Sequence, residues 1–182
     1  MTVSVETRAR AIRLLTCDVD GVLTDGRVYM DDDGRESKAF FALDGVGIRM
    51  LADAGIAVAW ITGSSAPAVA HRARLLDVRH VIQNASDKLT PWRALAASLE
   101  IAPEHCAHIG DDLPDLPIMD VCGFAATVPH APLAVRARAH YVTAHGGGLG
   151  AVRELAELIL AAQGKLPDAE ISRAVPGFLP RG

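Results

Sequence analysis

Asp18 and Asp20 stand at the end of an apolar run, Leu14-Leu15-Thr16-Cys17-Asp18-Val19-Asp20-Gly21-Val22-Leu23-Thr24-Asp25. Desolvating one carboxylate beside a buried strand is costly and two adjacent ones repel, so a cation or a reaction is the natural compensation. Read as turn caps, the same two aspartates would ask for no partner. Polar residues recur where other apolar runs end: Thr62 after Ile61, Lys88 a short loop after Ile82, and Asp111-Asp112 after Ile109-Gly110. Taken singly, a Thr there is a helix cap and an Asp-Asp pair a solvated turn. Together the types fit phosphoryl transfer. An aspartate can attack phosphorus and hold the phosphoryl group, and a second acid two residues on can protonate the leaving alcohol and then activate water. Mg²⁺ would bind the hard carboxylate oxygens and the phosphate together, while Thr62 and Lys88 supply donors to the equatorial oxygens.

Lys88 is unusual in kind, because Lys38, Lys88 and Lys165 are the only three lysines against fifteen arginines. A cation at the entrance to a helix over residues 89–99 opposes the helix dipole unless an anion sits beside it. A bound phosphate or the nearby aspartates would supply that anion.

These residues need a frame that brings the ends of several strands together. Short apolar runs at 12–19, 56–61, 80–82, 107–109 and 123–126 alternate with helical patterns, the mark of a parallel sheet covered on both faces. In such a sheet the carboxyl ends of the strands face one crevice, where ligands bind. Helices are predicted at 45–54, with Asp44 as N-cap and Gly55 just beyond, at 66–76 behind Ser64 or Ser65, at 113–121 and at 131–139. The last helix, 151–163, puts Val152, Leu155, Leu158, Ile159 and Ala162 on one face and closes at Gly164. Residues 26–41 break the alternation. They read as two extended stretches around Asp31-Asp32-Asp33-Gly34, a hairpin whose open edges call for a cover, often another subunit.

Length and composition set the bounds. With 182 residues, half of them hydrophobic and 22% charged, the chain supports one sizeable core. A net charge of −4 and the lack of a long basic run argue against nucleic acid. The densest basic stretch, His71, Arg72, Arg74, Arg79 and His80, reads as the solvent face of one helix. Cys17, Cys106 and Cys122 are odd in number and lie in or beside apolar segments, as reduced core thiols do, which points to the cytoplasm. Residues 1–13 lack the apolar stretch of a signal peptide, and the longest uncharged window, 54–70, is broken by Gly63-Ser64-Ser65 and Pro67, so neither export nor membrane insertion is expected.

The whole pattern resembles the haloacid dehalogenase superfamily of phosphatases. Its four motifs stand in order as Asp18-Val19-Asp20-Gly21-Val22-Leu23-Thr24, Thr62-Gly63, Lys88, and Gly110-Asp111-Asp112-Leu113-Pro114-Asp115. The resemblance implies a three-layer α/β/α Rossmann-like fold, with Asp18 as nucleophile, Asp20 as acid and base, and Thr62 and Lys88 as phosphate binders. It also implies that Asp18, the Asp20 carbonyl and Asp111 hold Mg²⁺, with Asp112 and Asp115 supporting metal and lysine. Only 44 residues separate Asp18 from Thr62 and 26 separate Thr62 from Lys88, too few for a cap domain as well as the core elements. A capless phosphatase must shield its site otherwise, and the 26–41 hairpin and an adjacent subunit would do so.

Within the capless group the chain is similar to the 3-deoxy-D-manno-octulosonate 8-phosphate phosphatases. The likeness runs through 18–25, 34–40 with Lys38, 44–48, 62–63, 87–89, 110–117, 141–143, 150–154 and 162–166. That family implies hydrolysis of a sugar-acid phosphate in lipopolysaccharide synthesis, a homotetramer with hairpins gathered into a barrel, and C-terminal tails reaching neighbouring sites. It further implies substrate contacts at Gly63, Lys38 and Asp44, with His145 a further candidate. Residues 1–164 then form one phosphatase domain and 165–182 an extended tail.

Two positions depart from the family pattern. Ser64 follows Thr62-Gly63 where an arginine is frequent, and Leu149 stands in the late glycine-rich loop where another is expected. Arginine forks suit a sugar carboxylate as serine and leucine do not, so a nine-carbon sugar-acid 9-phosphate or another small phosphorylated metabolite is an alternative substrate. Two readings of other classes are a signalling receiver domain and a phosphatase fold kept as an interaction module. The receiver is disfavoured by order, since receivers place the acidic pair first and the acceptor Asp later.

Overall fold

In the computed structural model, which describes residues 3–166, the chain folds around its first strand. In chain order the strands are β1 (Leu14–Cys17), β2 (Tyr29–Met30), β3 (Glu36–Ser37), β4 (Ala57–Ile61), β5 (His80–Ile82), β6 (Cys106–Ile109), β7 (Phe124–Thr127) and β8 (Tyr141–Val142). The helices are α1 (Val5–Arg10), α2 (Ala42–Asp53), α3 (Pro67–Leu75), α4 (Leu89–Ser98), α5 (Leu116–Met119), α6 (Leu133–Arg136) and α7 (Ala151–Ala162).

All four residues of β1 are buried, and it has parallel partners on both sides: Leu14 is opposite Ala57 in one and Cys106 in the other. A strand covered on both faces has no use for polar alternation, which is why this segment reads as an unbroken apolar run. The sheet order is β5-β4-β1-β6-β7-β8, every neighbour parallel. The chain therefore departs from β1 toward both edges, and the carboxyl end of β1 is a topological switch point, the place where open α/β sheets bind ligands. Helices α1, α2 and α7 pack together on one side, and α4 and α5 on the other, giving three layers. Helix α7 is buried nearly all round, including Val152, Leu155, Leu158, Ile159 and Ala162, because it packs against both α1 and α2.

Several boundaries differ from the sequence reading. β1 is shorter than 12–19 at both ends, since residues 18–19 have already left the strand. The predicted helix 113–121 is a 3₁₀ turn, Leu113–Asp115, followed by the short α5. Asp44 is not the N-cap of α2, which is Phe41; it lies in the first turn, and its Oδ1 accepts the Arg153 amide at the start of α7 at 2.8 Å. It caps a helix 109 residues further on. Ala66 rather than a serine is the N-cap of α3, although its amide bonds Ser64 Oγ at 3.2 Å. Arg79 and His80 are not on that helix, and His80 begins β5. The glycines past α2 and α7 behave as expected, with Gly55 at φ 80° and Gly164 at φ 65°, conformations that close a helix without Cβ strain.

Residues 26–41 do carry an antiparallel pair, β2 with β3, turning through Asp31 and Gly34. All three cysteines are buried free thiols. Burial and the charges of Asp44 and Asp18 push the Cys17 thiol far up, so it is no nucleophile. No described helix is long and apolar enough to cross a membrane. The tail expected at 165–182 lies, from residue 167 on, outside the described residues.

Candidate active site

A cleft of about 350 Å³ opens at the carboxyl end of β1 and takes its walls from the loops after β1, β4, β5 and β6. Asp18, Asp20, Thr62, Gly63, Lys88, Asp111, Asp112 and Asp115 all line it, together with Ser64, Ser86 and Pro114. A hollow of about 420 Å³ at the other end of the sheet, between Ile48, Ala57, Leu76 and His80, lacks any comparable set of carboxylates.

Asp18 leaves β1 with its amide bonded to the Ile109 carbonyl at 2.9 Å, so its position is set by the neighbouring strand β6. Its Oδ1 is 2.9 Å from Lys88 Nζ, which also donates to Asp115 Oδ1 at 2.7 Å. Lys88 is the N-cap residue of α4 but makes no capping bond; Asp87 receives the Leu89 and Thr90 amides instead. The cation at the helix entrance is thus neutralised from the cleft side by two buried aspartates. Thr62 is bonded through its amide to the Ile82 carbonyl at 2.9 Å, and its hydroxyl accepts the Ser64 amide at 3.0 Å. That leaves the hydroxyl proton free to donate into the cleft.

The chain reverses at Gly21, whose φ is 85° and where a Cβ would lie 2.0 Å from Asp111 Oδ2. Both the conformation and the space exclude a side chain. Thr24 ties this loop together, accepting the Gly21 and Gly26 amides. Beneath it runs the glycine-rich segment 146–150: the Gly148 amide bonds the Val22 carbonyl at 2.9 Å, and a Cβ on Gly147 would stand 1.8 Å from the Gly21 carbonyl oxygen. Backbone cannot yield as a side-chain tip can, so Gly147→Ala is expected to cost about 3 kcal/mol or more and to displace the Asp18–Asp20 loop. A urea unfolding midpoint unchanged from the parent would refute this account.

Electrostatically the cleft is overloaded with negative charge. Burial and the charge of Asp115 push Asp18 up to about 7, against a partial pull from Lys88. Burial and Asp115 likewise push Asp111 up to about 6. Burial also opposes ionisation of Asp115, but hydrogen bonds and charge from His108 and Lys88 outweigh it and hold the group below the usual carboxylate range. Carboxylate oxygens of Asp18, Asp111 and Asp115 lie within 4.8 Å of one another. Asp115 is already engaged by Lys88, His108 and the Asp111 and Asp112 amides, whereas Asp18 and Asp111 have oxygens to spare. Two adjoining carboxylates driven toward protonation, with hard oxygens facing a cleft, fit a divalent cation such as Mg²⁺.

The remaining predicted residues separate. Lys38 reaches over from the hairpin to Asp20 Oδ1 at 2.5 Å and Glu36 at 2.6 Å. Asp44 lies outside the cleft, 1% exposed, where burial raises its pKa against the backbone donors of α7. His145 is bonded through Nδ1 to Glu154 at 2.6 Å, and that carboxylate also takes the Ala144 and His145 amides and the Tyr141 hydroxyl. Three buried polar residues behind the cleft, Thr16, Trp92 and His108, were not foreseen. The signal was present in His108, a titratable residue inside the apolar run just before Gly110-Asp111.

A family profile described as haloacid dehalogenase-like hydrolase matches residues 75–152. The chain is 49% identical over 162 residues to a 3-deoxy-D-manno-octulosonate 8-phosphate phosphatase of Yersinia pestis, covering 89% of this chain and 87% of that protein. Its fold is similar to the crystal structure of the phosphatase of that name from Moraxella catarrhalis in complex with magnesium, phosphate and KDO. That likeness has TM-score 0.88 and 45% identity, covering 92% and 96% of the two chains. It is similar also to the cobalt-bound deoxy-D-mannose-octulosonate 8-phosphate phosphatase of Haemophilus influenzae, at TM-score 0.84 and 38% identity over 87% and 92% of the chains.

Proposed function

Because this chain belongs to the 3-deoxy-D-manno-octulosonate 8-phosphate phosphatase family of the haloacid dehalogenase-like hydrolases, we propose that it hydrolyses that eight-carbon sugar-acid phosphate to the free sugar acid and inorganic phosphate. The observation that carries the reading is Asp18 held 2.9 Å from Lys88 in one cleft with Asp20, Thr62 and Asp111.

The side chains divide the reaction as follows. An Asp18 carboxylate oxygen attacks phosphorus while the bond to the sugar oxygen breaks, leaving an aspartyl phosphate. Asp20, in its acid form, gives its proton to the departing sugar oxygen; as carboxylate it then takes a proton from the water that attacks the aspartyl phosphate and frees Asp18. The Thr62 hydroxyl and Lys88 ammonium donate to the phosphoryl oxygens as charge spreads over them. Asp18, the Asp20 carbonyl and Asp111 would hold Mg²⁺, with Asp112 and Asp115 behind them, and the cation supplies positive charge against which phosphate and carboxylate can approach. Gly63 borders the phosphate, and Lys38, freed from Asp20 by an incoming ester, faces the sugar acid. Asp44 acts at one remove, through the seat of α7.

Within this reading the enzyme is a cytoplasmic homotetramer serving lipopolysaccharide synthesis. Residues 1–164 are its single phosphatase domain and the hairpin is its flap. The exposed Val28, Tyr29 and Met30 on the hairpin support an assembly that covers them. No arginine lines the described cleft, where Ser64 stands instead, which keeps a nine-carbon sugar-acid 9-phosphate as the second reading.

Phosphate release from the eight-carbon and nine-carbon sugar-acid phosphates and simple hexose phosphates tests the proposal. Preference for the eight-carbon ester is expected, with activity lost on chelation by EDTA and restored by Mg²⁺. Preference for another ester would move the substrate and keep the mechanism. An enzyme silent on every ester, yet binding Mg²⁺, would leave the fold as an interaction module.

A further inference from the structure

Below the cleft a line of polar side chains continues into the core. Trp92 Nε1 donates to Thr16 Oγ1 at 3.2 Å, and that hydroxyl lies 2.9 Å from His108 Nδ1 and 3.0 Å from the Ala107 carbonyl. His108 Nε2 is 3.0 Å from Asp115 Oδ1, the oxygen that Lys88 also reaches. Thr16, Trp92, His108 and Asp115 are all fully buried. At that depth an unpaired polar atom is expensive, so each member constrains the next.

The hydrogen-bond inventory decides which way the ring faces. An indole N–H only donates, and an ionised carboxylate only accepts. Thr16 has one hydroxyl proton; whether it goes to Nδ1 or to the Ala107 carbonyl, His108 Nε2 faces an acceptor and must carry a proton. Asp115 is then fixed by four donors: His108 and Lys88 on Oδ1, and the Asp111 and Asp112 amides on Oδ2 at 3.3 and 3.4 Å.

We infer that His108 is a positioning residue, holding Asp115 from beneath so that Lys88 stands where it meets both Asp18 and the phosphoryl group. This rests on the phosphatase reading above. A lysine ammonium on a flexible four-carbon stem is placed only by its partners. Without His108, Asp115 Oδ1 is held by the lysine alone and Oδ2 only by two amides at 3.3 and 3.4 Å, so the carboxylate can turn about those long contacts and locates the cation less sharply. His108 itself does not reach the cleft.

Two substitutions separate positioning from packing. His108→Gln and His108→Asn put amides into the same core, but only the longer one brings an N–H to Asp115 Oδ1. The glutamine variant is expected to keep kcat within about threefold of the parent, while the asparagine variant loses about 10- to 100-fold and binds inorganic phosphate correspondingly less well, at similar thermal midpoints. Loss of activity in both variants in step with their midpoints would overturn the inference. A second measurement needs no turnover: ¹⁵N NMR of the substrate-free parent should show a slowly exchanging proton on His108 Nε2, and an unprotonated Nε2 would overturn the inference too. A parent that hydrolyses no ester counts against the phosphatase reading alone, since the ring proton and phosphate binding still decide the role of His108.

Discussion

Asp18→Asn is expected to abolish phosphate release while leaving the fold intact. The substitution takes away the oxygen nucleophile but keeps the side chain's shape and its ability to accept from Lys88 at the 2.9 Å contact. A nucleophile that forms the covalent intermediate cannot be replaced by positioning alone, so kcat should fall by about 10⁴-fold or more. Stability moves the other way. Burial and the Asp115 charge already disfavour the ionised form of Asp18, so deleting one charge relieves the cluster, and the thermal midpoint of the metal-free protein should not drop. Steady-state assays with excess Mg²⁺ and a melting curve without it check the two halves separately. Turnover within tenfold of the parent would remove Asp18 from the nucleophile's place, and a collapsed midpoint would make it a structural residue.

Lys88→Met should damage both properties at once. The lysine side chain is 5% exposed and faces Asp18 and Asp115, themselves almost wholly buried. Methionine fills the stem's volume but leaves two buried carboxylates without their cation. Breaking a buried ion pair by removing one partner costs about 3–5 kcal/mol, because the remaining charge has neither water nor a counterion. Losing a donor to the phosphoryl oxygens adds a fall of about 10²- to 10³-fold in kcat. Mg²⁺ should then raise the melting midpoint of the variant more than that of the parent, because a cation entering beside Asp18 replaces part of the missing charge. Equal Mg²⁺-induced shifts in the two proteins would contradict this picture.

Much of the architecture was legible in the chain because parallel strands advertise themselves as unbroken apolar runs. Those of β1, β4, β5, β6 and β7 were located to within a few residues. β8 is illegible because two residues have no periodicity, and α1 because six residues with only Ala9 buried carry no apolar stripe. Its cues were nevertheless ordinary: Ser4 accepts the Thr7 amide, and Glu6 pairs with Arg10 one turn on. Asp44 shows a limit of local rules. An Asp near a helix start reads as that helix's cap, yet its carboxylate serves α7, a tertiary choice that no window around residue 44 contains.

For the cleft, residue type and order carried the reading, since a nucleophile, an acid, phosphate donors and metal carboxylates each need particular atoms. Their partners were less visible. The contact of Lys38 with Asp20 depends on how far the hairpin leans, and His108 is masked by the apolar neighbours that mark its segment as core.

The seating of the Gly21 loop on Gly147 and Gly148 has a consequence for the order in which the protein is made. A chain still on the ribosome presents Asp18, Asp20, Thr62 and Lys88 long before it presents Asp111, and the support for Gly21 arrives later still. Domains mature from their N-terminal side during synthesis, but here the central strand must wait for β6 and its loop must wait for residues near the start of α7. Until Asp111 and the 146–150 segment have emerged, a nascent chain lacks both the full set of cleft carboxylates and the seat of the Gly21 loop. A fragment ended by a stop codon before residue 147 would not be a slow enzyme; it would be a chain with exposed carboxylates and an unseated turn, open to proteases.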